Sequence, residues 1–166
     1  MPQPISHVRA LAAGLAVLAA PALARDNLGV YGQWGAFRDP AVPRCYAIAM
    51  ADPSQREREI QPYAAIGSWP RRGERGQVYL RLSRRLAPGA MPTLTIDSQR
   101  FALVGNGTDS WTADKRMDAA VIAAMRSARS MRVAARDQRG RLFGDSYALS
   151  GAATAIDAAT VGCARS

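Results

Sequence analysis

Apolar and polar residues alternate in short runs along most of the chain, and turn-forming residues separate the runs. The clearest example is residues 77–84, in which Val78, Leu80 and Leu82 alternate with polar or tyrosine side chains. A period of two is typical of a β-strand with one buried face. Runs of this kind predict strands at residues 31–37, 44–51, 62–69, 77–84, 93–97, 100–104, 131–136 and 142–149.

The spacing of apolar residues changes to that of an amphipathic helix in two places. Beyond Asp114 they recur at positions 117, 121, 124 and 125, so we expect a helix with Asp114 as its N-cap. A second helix is predicted after Ser150, with an apolar side that ends at Cys163. These elements favour a mainly β fold over an alternating βαβ fold. We expect an immunoglobulin-like β-sandwich of about seven or eight strands with two short helices.

Residues 1–24 have the three-part pattern of a secretory signal peptide. A stretch with His7 and Arg9 precedes an apolar run at residues 10–20, and Ala22-Leu23-Ala24 is a small-x-small cleavage site. The run has about 11 residues, whereas a membrane-spanning helix needs roughly 20, which argues against an uncleaved anchor. We therefore expect a periplasmic or secreted protein in which residues 25–166 form a single β-sandwich-like domain, with no transmembrane segment after cleavage.

Arginine dominates the charge of the chain. The formal net charge is +9, and a basic protein attracts polyanions. Outside a bacterial inner membrane these are anionic envelope polymers and lipids, so we expect no nucleic-acid partner. Candidate anion-binding residues are Arg71, Arg72, Arg84 and Arg85, because arginine holds phosphate or carboxylate with two hydrogen bonds. Alternatively, the arginines are spread evenly over a solvated surface.

The chain has two cysteines, Cys45 and Cys163, and export would place both in an oxidising compartment where disulfides persist. A bond between them would close a loop of 118 residues. We expect this disulfide, because Ala47 and Ala49 share a strand face with Cys45 and leave room for the final helix to approach. The alternative is a pair of free buried thiols, and a redox role is disfavoured because the chain has no Cys-x-x-Cys motif.

The composition excludes several kinds of catalytic site from the mature chain. Its one histidine, His7, belongs to the expected signal peptide, which excludes Ser-His-Asp and Cys-His catalysis and histidine-ligated zinc. No motif predicts catalytic residues, a cofactor or a metal site. A hydrolase that uses two carboxylates stays open as an alternative. Its candidate residues are Asp97, Asp109, Asp145 and Asp157.

Two local features have competing interpretations. Trp34, Trp69 and Trp111 are suited to stacking on sugars, but each lies in or beside a predicted strand, which favours packing in the core or on the sheet. Asn106-Gly107-Thr108 matches a glycosylation acceptor, but Asn-Gly is also a strong turn dipeptide. We interpret it as a turn.

Three segments resemble the invasion-associated locus B family of exported envelope proteins. They are Gly32-Gln33-Trp34, Arg44-Cys45-Tyr46-Ala47-Ile48 and residues 147–156. The resemblance implies an envelope location, an immunoglobulin-like β-sandwich and a role in the envelope or in host association, with no catalytic residues to carry over. The family pattern also has a cysteine soon after Trp34 and a cysteine pair near Trp111, which this chain lacks. Cys163 is then the only replacement partner for Cys45.

The leading hypothesis is a non-enzymatic exported protein that binds or supports a component of the cell envelope, such as an anionic polymer or an envelope protein. The first alternative is a periplasmic module that binds an anionic glycan or lipid through the arginines. The carboxylate-dependent hydrolase ranks below both.

Overall fold

The computed structural model describes residues 25–164 and shows eleven β-strands, two α-helices and one short 3₁₀ turn. The expected signal peptide lies outside the described residues. The strands are β1 (Asp26–Tyr31), β2 (Trp34–Asp39), β3 (Arg44–Met50), β4 (Tyr63–Trp69), β5 (Glu74–Arg81), β6 (Thr93–Ile96), β7 (Gln99–Ala102), β8 (Val104–Asn106), β9 (Asp109–Trp111), β10 (Ser130–Arg136) and β11 (Leu142–Ala148). The helices are α1 (Lys115–Met125) and α2 (Ala152–Ala164), and the 3₁₀ turn is Pro70–Arg72. Neither of these helices is long and apolar enough to cross a membrane.

The strands form two antiparallel sheets, and the predicted mainly β, sandwich-like architecture with two helices is confirmed. The larger sheet has seven strands in the order β1-β2-β3-β4-β5-β9-β8, and the smaller has four in the order β11-β10-β6-β7. Most neighbours in the larger sheet are consecutive along the chain. Short turns therefore build most of this sheet, and its register follows from the hairpins.

The strand count is higher than the expected seven or eight for two local reasons. The predicted strand at residues 31–37 is interrupted, because Tyr31 pairs with Trp34 across a two-residue turn in which Gly32 has a left-handed φ of 59°. The strands β8 and β9 have three residues each, too few to show a period of two. They are joined at Gly107, where a turn was expected.

Helix α1 begins where the sequence predicts and is held against β5 by a buried carboxylate. The Asp114 side chain accepts a hydrogen bond from the backbone N–H of Met117 at 2.8 Å, which confirms the N-cap. One turn later, Asp118 accepts from the backbone N–H of Val78 at 2.7 Å and from the hydroxyl of Thr112 at 2.5 Å. These bonds fix the position of α1 on the inward side of the larger sheet.

Helix α2 lies on the same inward side, against β1, β2 and β3. Its buried stripe consists of small residues, Ala152, Ala155 and Ala159, followed by Cys163. The stripe allows a close approach to β3, and Cys163 forms a disulfide with Cys45 over a Cα–Cα distance of 5.7 Å. The expected bond is therefore present, and it attaches the end of α2 to the start of β3.

Both sheets and both helices contribute to one hydrophobic core. Trp34 is completely buried in it, and its indole N–H donates to the backbone carbonyl of Ala148 at 2.9 Å. This hydrogen bond connects β2 of the larger sheet with the end of β11 in the smaller one. Trp34 thus has the core role expected of it.

Candidate functional site

The outward side of the larger sheet carries a row of aromatic side chains. We call this surface the open face and define it by six partly exposed residues: Phe37, Tyr46, Tyr63, Trp69, Tyr79 and Trp111. Three of the exposed large aliphatic residues, Val30, Met50 and Val104, lie on the same side. The open face is therefore broad and largely apolar.

Strand alternation and register place these residues together. In β3 the even-numbered Tyr46 and Ile48 point outwards, because Cys45, Ala47 and Ala49 point into the core. Directly opposed residues share a face of the sheet, and the pairs that matter here are Phe37 with Tyr46 and Tyr79 with Trp111. Two ring pairs have centroids 5.7 Å apart, Phe37 with Tyr46 and Tyr63 with Tyr79.

Two glycines on the outward side make room for aromatic rings. A Cβ on Gly67 would come within 2.7 Å of the Trp69 indole, and a Cβ on Gly35 would come within 2.6 Å of the Phe37 ring. Both rings therefore lie against bare backbone, where a side chain at the glycine would push them away.

Polar groups lie between the rings. The Tyr79 hydroxyl donates a short hydrogen bond to Asp109, and Arg81 lies 3.2 Å from the same carboxylate. Burial raises the pKa of Tyr79, and the bond to Asp109 raises it further, so the hydroxyl stays protonated. At the other side of the face the Arg44 guanidinium lies 4.9 Å from the centroid of the Tyr46 ring. The surface thus combines stacking rings with donors and acceptors.

The outward side of the smaller sheet has the opposite character. Its outward positions carry hydroxyl and guanidinium groups, from residues that include Thr93, Thr95, Arg132, Arg136 and Ser146. This is the usual composition of a sheet face in contact with water. A broad, partly exposed aromatic surface such as the open face is unusual for a sheet in contact with water. Exposed apolar surfaces of this kind mark interaction sites.

The three tryptophans have different environments in the structure. Trp34 is in the core, whereas Trp69 and Trp111 are partly exposed on the open face. The open face as a whole was not predicted from the sequence. Its signal is present in the chain, since Gly35 and Gly67 lie inside strands, where glycine often marks the close approach of another group.

The four predicted anion-binding arginines lie at opposite ends of β5. Arg71 and Arg72 belong to the 3₁₀ turn before this strand, and Arg84 and Arg85 follow its other end. An eight-residue strand separates the pairs by about 26 Å. The Arg84 guanidinium already donates hydrogen bonds to the Glu59 carboxylate at 3.2 Å and to the backbone carbonyl of Glu57 at 2.6 Å. The four residues therefore do not form one patch.

The four carboxylates considered for a hydrolase lie on different parts of the fold. Asp97 is in the turn between β6 and β7, Asp109 is on β9, Asp145 is on β11 and Asp157 is on α2. Asp145 is 1% exposed and shares a cleft of about 260 Å³ with another carboxylate, that of Asp137. This cleft, rather than any pair drawn from the four candidates, brings acids together in one cavity, and Glu57 also lines it.

The two buried acids of this cleft, Asp137 and Asp145, are each paired with an arginine. Arg58 lies 3.7 Å from Asp145, and Arg141 lies 3.0 Å from Asp137. Burial raises the pKa of Asp137, but hydrogen bonds from Arg141 outweigh it and hold the pKa below its usual value. A general acid needs a raised pKa, so the surroundings of Asp137 favour a structural ion pair over acid catalysis.

Comparison with known proteins gives no evidence about function, so the evidence comes from the geometry of the site. No family model, no curated protein and no solved structure matches this chain. The resemblance to the invasion-associated locus B family stays a prediction. The open face is therefore the strongest structural indication of what the protein does.

Proposed function

We propose that this chain is an exported, non-enzymatic protein of the cell envelope that binds an envelope glycan on the open face. The observation that carries the proposal is the row of partly exposed aromatic rings on a sheet whose other side faces the hydrophobic core and the two helices. A sugar ring has an apolar C–H face that stacks on an aromatic side chain and hydroxyls that need hydrogen-bond partners. Rings such as Trp69 and Trp111 offer aromatic faces on which a sugar ring can stack. Tyr79, Arg81 and Asp109 offer hydrogen-bond partners for its hydroxyls.

The charge of the protein favours an acidic glycan. The whole chain carries a net charge of +9, which attracts polyanions at long range. Arg44 and Arg81 lie on the open face itself, but Asp39 at 3.5 Å and Asp109 at 3.2 Å already pair with them, so the attraction comes from the net charge of the protein. Attraction of this kind weakens as salt is added.

The location in the envelope rests on the N-terminal segment and on the family resemblance. The signal-peptide pattern of residues 1–24 predicts export, and the resemblance to invasion-associated locus B proteins implies an envelope role. Fractionation of cells expressing the full chain tests this part. Recovery of the processed protein in the periplasmic fraction is the expected result, and recovery of the unprocessed chain in the membrane fraction would contradict it.

Binding to purified peptidoglycan and to lipopolysaccharide tests the ligand class. We expect Trp69→Ala and Trp111→Ala each to weaken binding by about three- to tenfold, because each loses one stacking surface. Arg132→Ala is the matched control, since Arg132 is an exposed residue on the outward side of the smaller sheet. Equal binding by all three variants and the unaltered protein would exclude the open face as the binding surface.

A further inference from the structure

A trough of about 560 Å³ separates the two helices on the inward side of the larger sheet. Ile66 of β4 lies in it, α1 lines one wall with Ala119 and Ala123, and α2 lines the other with Ile156 and Ala159. This volume is within the range of pockets that hold small molecules. The trough lies on the side of the sheet opposite the open face, so a ligand bound in it would be independent of the proposed function.

Small side chains keep the trough open, and rigid connections hold its walls apart. Alanine at positions 119, 123 and 159 leaves space that longer side chains would fill. The disulfide to Cys45 fixes α2 on the sheet, and the buried carboxylate of Asp118 fixes α1. The two helices therefore do not need to rearrange to accept a ligand, and this lowers the cost of binding.

One end of the trough is closed by an ion pair between the helices. Arg126 of α1 donates two hydrogen bonds to the carboxylate of Asp157 on α2, at 2.6 and 3.1 Å. Both charges are matched there. This end of the trough therefore offers no unpaired charge to a ligand.

The other end is cationic, and a β-bulge builds it. Arg75 and Gly76 lie together opposite Ser68, between the pairs Gly67 with Gln77 and Trp69 with Glu74. A bulge redirects side chains, and Arg75 lines the trough. Within residues 25–164, Arg75 has no carboxylate partner, unlike Lys115, which lies 3.3 Å from Glu74 at the same end.

The 3₁₀ turn adds further positive charge beside this end. Pro70 lines the trough, and the next residue, Arg71, lines an adjoining cleft together with Cys163. Arg71 and Arg72 are both exposed. Two of the arginines expected to bind anions therefore lie next to a cavity with an apolar interior.

We propose that the trough binds a single-chain anionic amphiphile, with its acyl chain between the helices and its acidic head at Arg75. The helix walls offer apolar side chains to an alkyl chain, and the one ion pair between them is internally matched. The head must be acidic, because the group free to meet it among the described residues is an arginine without a carboxylate partner. A fatty acid and an alkyl phosphate share this chemistry, and calorimetry with both kinds of head distinguishes them.

Calorimetric titration of the full chain, expressed with its own N-terminal segment, tests the proposal with soluble probes below their micelle concentrations. We expect saturable binding of one dodecanoate per chain, and about fifteenfold weaker binding of decanoate, because each methylene contributes about fourfold. Dodecyl phosphate in place of dodecanoate shows which acidic head is preferred. Dodecyltrimethylammonium, which has a cationic head, should bind at least tenfold more weakly than either.

Substitutions locate the binding site. Ala123→Trp fills the trough and should abolish dodecanoate binding, whereas Ala120→Trp, an exposed position on the same helix outside the trough, should leave it unchanged. Arg75→Gln should weaken dodecanoate at least fivefold and leave dodecanol unaffected. Thermal melts of the two tryptophan variants check that both fold.

Three results would overturn the proposal. The first is that neither acidic probe binds saturably, and the second is that dodecanoate and decanoate bind equally well. The third is that folded Ala123→Trp and Ala120→Trp proteins lose dodecanoate binding to the same extent. The open face is not altered by any of these variants. A failure here therefore leaves the glycan-binding test on the open face intact.

Discussion

The indole ring of Trp69 lies against Gly67, two residues earlier on β4, so closely that a Cβ on the glycine would come within 2.7 Å of the ring. The ring therefore depends on the absence of a side chain at position 67. The contact is on the outward side of the sheet, away from the core. It follows that this glycine shapes the open face more than it stabilises the fold.

Replacing this glycine should impair binding before it impairs folding. We expect Gly67→Val to push the Trp69 ring into solvent and to weaken glycan binding by about as much as Trp69→Ala, within three- to tenfold. Tryptophan fluorescence should shift to longer wavelength, while far-ultraviolet circular dichroism stays unchanged. Ala134→Val, at an outward position of the smaller sheet, is the control and should leave both emission and binding as they are.

Loss of the disulfide should destabilise the protein without removing its sheet structure. The bond between Cys45 and Cys163 spans 118 residues, so its loss frees the unfolded chain and releases the end of α2. We expect Cys45→Ser, Cys163→Ser and the double variant each to lower the free energy of unfolding by about 2–4 kcal/mol in urea titrations. Reductant should destabilise the unaltered protein by a similar amount and leave the double variant unaffected. A reductant effect on the double variant would show that the destabilisation does not come from this bond.

The buried carboxylate of Asp118 should contribute more to the free energy of unfolding than a surface side chain of α1. In Asp118→Ala the backbone N–H of Val78 and the hydroxyl of Thr112 lose their acceptor, at a cost of about 2–3 kcal/mol in the free energy of unfolding. Asp118→Asn keeps one acceptor oxygen and should cost less. Arg116→Ala, at an exposed position of the same helix, is the control. An equal cost for Asp118→Ala and Arg116→Ala would show that the bonds to β5 and Thr112 do not anchor α1.

Acid should destabilise the protein partly through Asp137. Arg141 holds the pKa of this carboxyl below its usual value in the folded state, so the unfolded chain takes up the proton more readily. The stabilisation is complete above the unfolded pKa of about 4 and is lost as the pH falls through the lower folded pKa.

Thermal melts between pH 6 and pH 2 measure this contribution. Asp137→Asn should show a smaller fall in melting temperature over this range than the unaltered protein. The asparagine takes up no proton, so this position no longer favours the unfolded chain at low pH. Asp97→Asn is a suitable control, since Asp97 has a positive φ of 49° in an exposed turn, a conformation that asparagine tolerates. Identical pH profiles for all three proteins would exclude Asp137 as a source of acid lability.

Local patterns in the chain were sufficient to predict most of the elements. The alternation of Val78, Leu80 and Leu82 marks β5 because side-chain direction in a strand follows sequence position alone. Asp114 marks the start of α1 for an equally local reason, since an N-cap bonds to a residue three positions later. The short strands β8 and β9 and the break at Gly32 escaped prediction because they are shorter than the period that reveals a strand.

The sequence by itself determined which residues share a strand face, that only one intramolecular disulfide is possible, and that residues 25–164 contain no histidine. Only the tertiary structure decided which side chains of the different strands come together on the face that the helices leave uncovered. That choice depends on where α2 docks, through Cys163 and a residue 118 positions away. The same long-range packing leaves Tyr46, Tyr79 and Trp111 partly exposed and brings Arg75 to the end of the trough. Periodicity describes each segment separately, whereas a surface forms from segments that are distant in the chain.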